Sequence, residues 1–161
     1  MSIGQGYLEV TPLQLVKLIS LIANKGRIMK PMLVKRIMDN KGNIIKNFSP
    51  VTLSKINLCD ETWDIIQHGL EEAVISGTAQ IVRFRSLKVA GKTGTAQNPH
   101  GEDHAWFVCY APTDRPKVSM VVFVEHGGHG ASASVPIARR ILKSIFFLKK
   151  EVPPKVFIAK D

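Results

Sequence analysis

Apolar residues recur along this chain in two rhythms, one of helical and one of strand period. In TPLQLVKLISLIANKG, Leu15, Leu18, Ile19 and Ile22 fall at i, i+3, i+4 and i+7 and form one stripe. Thr11 stands where an N-cap hydroxyl belongs, Pro12 suits the first helical position and Gly26 suits a left-handed C-cap, so this segment is predicted to be a helix. From Arg27 to Asp39 the pattern becomes irregular and strand-like. The turn composition of Asn40-Lys41-Gly42-Asn43 then predicts a short hairpin continuing into Ile44 and Ile45. A second helix is predicted in DETWDIIQHGLEEAVIS, where Trp63, Ile66, Leu70, Ala73 and Val74 share a face, Asp60 caps the start and Gly77 closes the end.

LKVAGKTGTAQ is rich in Val, Thr and Gly and predicts an extended strand, which Asn98-Pro99-His100-Gly101 breaks. AWFVCYA and KVSMVVFVE, joined by Pro112-Thr113-Asp114-Arg115-Pro116, are nearly continuous apolar runs and predict a hairpin covered on both faces. A last helix is predicted from Pro136, with Ile137, Ile141, Ile145 and Leu148 on its core side, before a loose VPPK tail. Helix, hairpin, helix, three strands and helix in that order predict an α+β fold with an antiparallel sheet packed against helices.

At 161 residues, 45% hydrophobic and 22% charged, the chain has the size and composition of one folded domain, which excludes wholesale disorder and collagen. The formal charge of +9 admits an anionic partner such as nucleic acid, a membrane or a cell-wall polymer. The densest basic clusters, Lys35-Arg36, Arg139-Arg140 and Lys149-Lys150, are dipeptides without interleaved aromatics, which argues against a nucleic-acid groove. Cys59 and Cys109 lie far apart in unrelated contexts, so they form neither a CxxC pair nor a zinc knuckle, and both are predicted to be small buried residues. The apolar run Leu13–Ala23 is interrupted by Lys17, has Glu9 where a signal peptide is basic, and meets no cleavage motif. No stretch is long enough to span a bilayer, so no export or anchoring signal is expected in the chain as written.

Gly91-Lys92-Thr93 has the ending of a phosphate-binding loop, but G-x-x-x-x-G-K-S/T requires Gly where Ser86 stands and a helix where Gly94 follows. One residue along, Lys92-Thr93-Gly94 is the K-T-G triplet of the penicillin-interacting serine enzymes, which sits on a strand. An edge strand offers backbone groups to an extended peptide, and Gly94 carries no side chain to block that approach. The Lys92 ammonium supplies positive potential for a carboxylate and can relay a proton. The Thr93 and Thr95 hydroxyls can hydrogen-bond that carboxylate, and the Thr95 N–H is a candidate oxyanion donor.

His100 and His104 in HGEDH, with His126 and His129, invite a metal-site reading, but the order is not H-E-x-x-H and the segment follows a Pro-Gly break, so no metal is expected. HGGHGASAS suits either an anion cradle before the last helix or a plain strand-to-helix turn. Trp106 is predicted to be core and His68 to face solvent.

SIGQGYLEVTPLQL, IANKG with Pro31 after it, GTAQ, VAGKTGTAQ, HAWFVCYAPTDRPKVSMVVFVEHGG and VPIARRIL together resemble the class B penicillin-binding proteins, most of all their elongation-specific penicillin-binding protein 2 branch. The resemblance runs from about Ser2 to Leu148, and it implies a partial transpeptidase domain over 1–148 followed by a tail over 149–161. It further implies a peptidoglycan D,D-transpeptidase, in which a serine attacks a D-Ala-D-Ala stem peptide, forms an acyl-enzyme and passes the acyl group to an amine, and which β-lactams acylate. On that resemblance Lys92 and Thr93 are catalytic, Thr93, Gly94 and Thr95 bind substrate, and no cofactor is required.

The same resemblance brings an expectation of incompleteness. The family's Ser-x-x-Lys and Ser-x-Asn motifs occur nowhere in these residues; Thr52-Leu53-Ser54-Lys55 has the spacing but begins with Thr. The chain is therefore expected to be the C-terminal portion of the domain, inert alone, exposing apolar strand and helix faces that the missing N-terminal part would cover. Expected partners are stem peptides, β-lactams, that N-terminal part and the cell-elongation machinery, with no nucleic acid. The parent is expected in the inner membrane with this domain outside the cytoplasm. The alternative is a non-catalytic module that holds peptidoglycan or an acidic partner, which salt-sensitive retention on peptidoglycan without acylation would distinguish.

Overall fold

The computed structural model describes residue 5 and residues 8–148; the expected tail, and part of the opening SIGQGYLEV, lie outside the described residues. Helix α1 spans Pro12–Ala23 and opens on a reciprocal cap, in which the Gln14 N–H donates to the Thr11 hydroxyl at 3.3 Å and the Thr11 N–H to the Gln14 carboxamide at 2.7 Å. Its end comes earlier than the sequence predicts: Asn24, not Gly26, is the C-cap, Lys25 and Gly26 follow at φ +47° and +93°, and the Gly26 N–H donates to the Leu21 carbonyl at 2.9 Å. A side chain at Gly26 would run into the Ile56 carbonyl and come within 2.9 Å of the Trp63 ring.

The region after α1 carries four short strands rather than one hairpin: β1 (Arg27–Met29), β2 (Arg36–Met38), β3 (Ile44–Asn47) and β4 (Thr52–Lys55). β2 and β3 form the predicted hairpin, closed by the Asp39 carboxylate accepting from the Lys41 and Asn43 N–H groups at 2.9 and 2.8 Å. β1 leaves it at Lys30 and pairs antiparallel with β4, a strand the sequence pattern does not reveal because all four of its residues are exposed.

Helix α2 (Asp60–Ile75) has Cys59, not Asp60, as its N-cap, and ends at Ser76, one residue before Gly77. Cys59 is exposed there, against expectation, whereas Cys109 is fully buried. A short 3-10 turn over Gln80–Val82 leads to the main sheet, β5 (Ala90–Ala96), β6 (His104–Ala111) and β7 (Val118–Val124), antiparallel in the order β5-β6-β7. Helix α3 (Ser134–Phe147) closes the fold.

β6 is covered on both faces. Its odd-numbered residues Phe107, Cys109 and Ala111 pack with Val135, Ala138 and Leu142 of α3, while Tyr110 and Val108 pack with Ile19 and Ala23 of α1. β7 departs from the expectation: of its seven residues only Val122 is buried, because it ends the sheet and has a neighbouring strand on one side only. The α3 stripe is a second correction. Ile137, Ile141, Ile145 and Leu148 are exposed, by 40% in the case of Ile141, and the buried stripe is Val135, Ala138 and Leu142. In α1, likewise, Leu18 is exposed while Ile19 and Ala23 are buried. With Phe123 exposed on β7, the apolar strand and helix faces that the family resemblance implies are present on the surface.

Candidate active site on the KTG strand

β5, like β7 at the other side, is an edge of its sheet among the described residues, so one line of its backbone groups has no strand partner. Gly91, Lys92, Thr93, Gly94 and Thr95 all lie on it, and the strand pairs through Thr93 with Phe107 and through Gly94 with Trp106. An extended strand followed by a turn rather than a helix removes the phosphate-loop reading. Gly91 is needed by packing: a Cβ there would meet the Val108 carbonyl oxygen at 2.6 Å. At Gly94 the same atom would meet only Trp106 Cβ, at 3.3 Å, and one side is open.

Alternation along the strand puts Thr93 and Thr95 on the face shared with Phe107, and Lys92 and Gly94 on the other. The exposed Lys92 ammonium folds over the edge and donates to the Thr93 carbonyl at 2.8 Å. The Thr93 hydroxyl lies 2.6 Å from that of Thr78, in the Gly-Thr-Ala-Gln segment after α2, and the Thr95 hydroxyl accepts from the Gly130 N–H at 3.4 Å. The edge thus presents an ammonium, two hydroxyls and unpaired strand backbone together, a donor set suited to a carboxylate at the end of an extended peptide.

Thr78 escapes the sequence reading, which uses GTAQ only as a family mark; its recurrence as Gly94-Thr95-Ala96-Gln97 was the available signal. Thr52 and Lys55 of the Ser-x-x-Lys look-alike lie on the exposed strand β4, where residues three apart point to opposite faces and cannot meet as they do on a helix. Among the histidines, His104 and His126 come together with ring centroids 5.0 Å apart, while His68 is exposed on α2, as predicted. Among the described residues no group of three or more His, Cys, Asp or Glu side chains is placed to hold a metal ion. Trp106 is half-buried rather than fully in the core and stacks on Phe123 at 4.1 Å. HGGHGASAS is a turn whose Gly130 carbonyl accepts from the Ser134 hydroxyl at 2.8 Å.

The family of penicillin-binding protein transpeptidase domains matches residues 1–143, and the chain belongs to it. The chain is 33% identical to peptidoglycan D,D-transpeptidase MrdA of Haemophilus influenzae, over 94% of this chain and 26% of that protein. It is 32% identical to penicillin-binding protein 2A of Bacillus subtilis, over 93% of this chain and 24% of that one. The chain therefore spans about a quarter of the length of these curated relatives. Among solved structures, penicillin-binding protein A from Mycobacterium tuberculosis, as a ceftriaxone acyl-enzyme complex, superimposes with a TM-score of 0.81 at 27% identity, covering 90% of this chain and 34% of that one. Penicillin-binding protein 2 of Pseudomonas aeruginosa gives 0.74 at 33% identity, covering 89% and 31%. The fold is the penicillin-binding transpeptidase fold, α+β as the sequence predicts. Among the described residues no helix is long and apolar enough to cross a membrane.

Proposed function

We propose that this chain supplies the substrate-aligning strand of a peptidoglycan D,D-transpeptidase, whose attacking serine belongs to sequence outside these 161 residues. The observation that carries the reading is the free edge of β5, with Lys92, Thr93, Gly94 and Thr95 in the family's order and their polar groups exposed or half-exposed. A D-Ala-D-Ala stem peptide, or a β-lactam in its place, lies antiparallel along that edge. Lys92 attracts its carboxylate electrostatically and relays a proton during acyl transfer, Thr93 and Thr95 bind the carboxylate, Gly94 gives clearance, and the Thr95 N–H completes the oxyanion hole. The family likeness supports a parent protein anchored in the inner membrane, with this domain outside the cytoplasm and the cell-elongation machinery as partner.

With Ser-x-x-Lys and Ser-x-Asn absent from these residues, the chain alone does not form an acyl-enzyme. Intact-mass measurement after incubation with penicillin tests this: an unchanged mass is expected for the chain alone, and a penicilloyl adduct for a protein joining it to a Ser-x-x-Lys segment. A stable adduct on the chain alone overturns the assignment. Retention on peptidoglycan, with no adduct even on the joined protein, favours the non-catalytic module.

A further inference from the structure

The loop after β7 ties the two faces of the sheet together. The His126 N–H donates to His104 Nδ1 at 3.0 Å, with His126 itself at φ +51°. Two residues on, the Gly128 N–H donates to the Asp103 carbonyl at 2.8 Å. Gly130 then arrives at the KTG strand. It is buried, its N–H donates to the Thr95 hydroxyl, and a Cβ on it would lie 2.5 Å from both the Gly94 and Trp106 carbonyl oxygens. His104 stands opposite Ala96, on the face away from Thr95, so the loop crosses the end of the sheet from the His104 face to the Thr95 face.

We propose that His104 is a positioning residue for the substrate-binding strand: its unprotonated Nδ1 anchors the 126–130 loop, and through Gly130 sets the Thr95 hydroxyl and the backbone beside it. The role rests on the transpeptidase reading of Thr95. An imidazole nitrogen accepts a hydrogen bond only while it carries no proton, so the anchor requires the tautomer protonated at Nε2. The His126 ring is held on its other side, its Nδ1 lying 3.3 Å from the Glu102 carbonyl. The Asn98 amide lies 3.0 Å from His126 Nδ1 and donates to the Glu102 carbonyl at 3.3 Å, so it bridges the loop to the residues before β6.

Beside this anchor the Asp103 carboxylate accepts from the Asn98 N–H at 3.2 Å, and the His104 and His126 ring centroids lie 5.0 Å apart. Protonating His104 at Nδ1 replaces an acceptor by a second donor facing the His126 N–H.

Amide hydrogen exchange followed by NMR on the full chain tests this without any substrate, so its outcome is independent of whether the transpeptidase reading holds. Asn carries its Oδ1 on the same atom as His carries Nδ1, whereas Gln displaces its acceptor by one bond. In His104→Gln, protection factors of His126, Gly128, Gly130 and Thr95 fall by about tenfold, the effect of one lost hydrogen bond. In His104→Asn they are restored. The proposal is overturned if Asn behaves like Gln, or if the loss in His104→Gln extends to the α2 amides.

Discussion

The Thr78 and Thr93 hydroxyls lie 2.6 Å apart, joining the turn after α2 to the middle of the KTG motif. With Thr78 as the donor of the pair, the Thr93 hydroxyl keeps its own proton for a ligand carboxylate while its rotamer is held from behind.

Thr78→Val keeps the shape and removes the partner. The account expects a stability loss of about 1 kcal/mol or less in chemical denaturation, since the pair is partly exposed. Broadened or shifted NMR signals at Thr93 accompany it, and unchanged Thr93 signals would count against the contact.

The two glycines of the strand separate by packing. Gly91→Ala forces a methyl into the Val108 carbonyl and costs about 1–3 kcal/mol as an overpacking change, while Gly94→Ala, meeting one Cβ at 3.3 Å, costs clearly less. Denaturant midpoints of the two variants check the order. On the proposed function, Gly94→Ala instead weakens ligand binding at the edge.

The corrected face of α3 gives a direct contrast. Leu142→Ala empties a fully buried position and is expected to destabilise by about 2–5 kcal/mol, and Ile141→Ala, at an exposed neighbour, by well under that. Equal losses would restore the isoleucine stripe to the core.

Alkaline pH has a signed effect. Burial raises the Cys109 thiol to about 12 from 9.0, and burial followed by the Glu71 charge raises the Tyr110 phenol to about 12 from 10.0. Both groups stay protonated in the fold at pH values where the unfolded chain has already ionised them. Their stabilising contribution is therefore whole below pH 9 and is lost as pH rises towards 12. Among the described residues the Tyr110 hydroxyl is buried without a partner, so Tyr110→Phe is expected to be neutral or stabilising at neutral pH and to flatten the upper part of that decline. Cys59 differs: the Thr62 hydroxyl, 2.9 Å from its sulfur, lowers its pKa, and it is exposed. Iodoacetamide therefore modifies Cys59 in the folded chain and Cys109 only on unfolding.

Periodicity reveals the elements where one face is apolar and the ends are chemically marked. Thr11 and Pro12 open α1 as predicted, Gly26 lies left-handed just beyond its Asn24 C-cap, and the strands through Lys92 and Phe107 lie where their composition puts them. It fails where both faces are apolar. On α3, Ile137, Ile141 and Ile145 form as regular a row as Val135, Ala138 and Leu142, and only the position of the sheet decides between them. β4 is silent because an exposed two-stranded ladder needs no apolar alternation. Of the candidate site, Lys92 to Thr95 are legible because a motif is local. Thr78, Gly130 and His104 reach the site through long-range contacts with no motif of their own.

The central claim is that the edge of β5 recognises the carboxylate end of a D-Ala-D-Ala peptide. Titrating the isotopically labelled chain with an acyl-D-Ala-D-Ala stem peptide, while following backbone amide shifts, tests it most directly. The account predicts shifts concentrated at Lys92–Thr95 and Thr78, saturable and abolished by Lys92→Ala with Thr93→Ala. Shifts spread over the basic surface, or centred elsewhere and unchanged in that double variant, would contradict it.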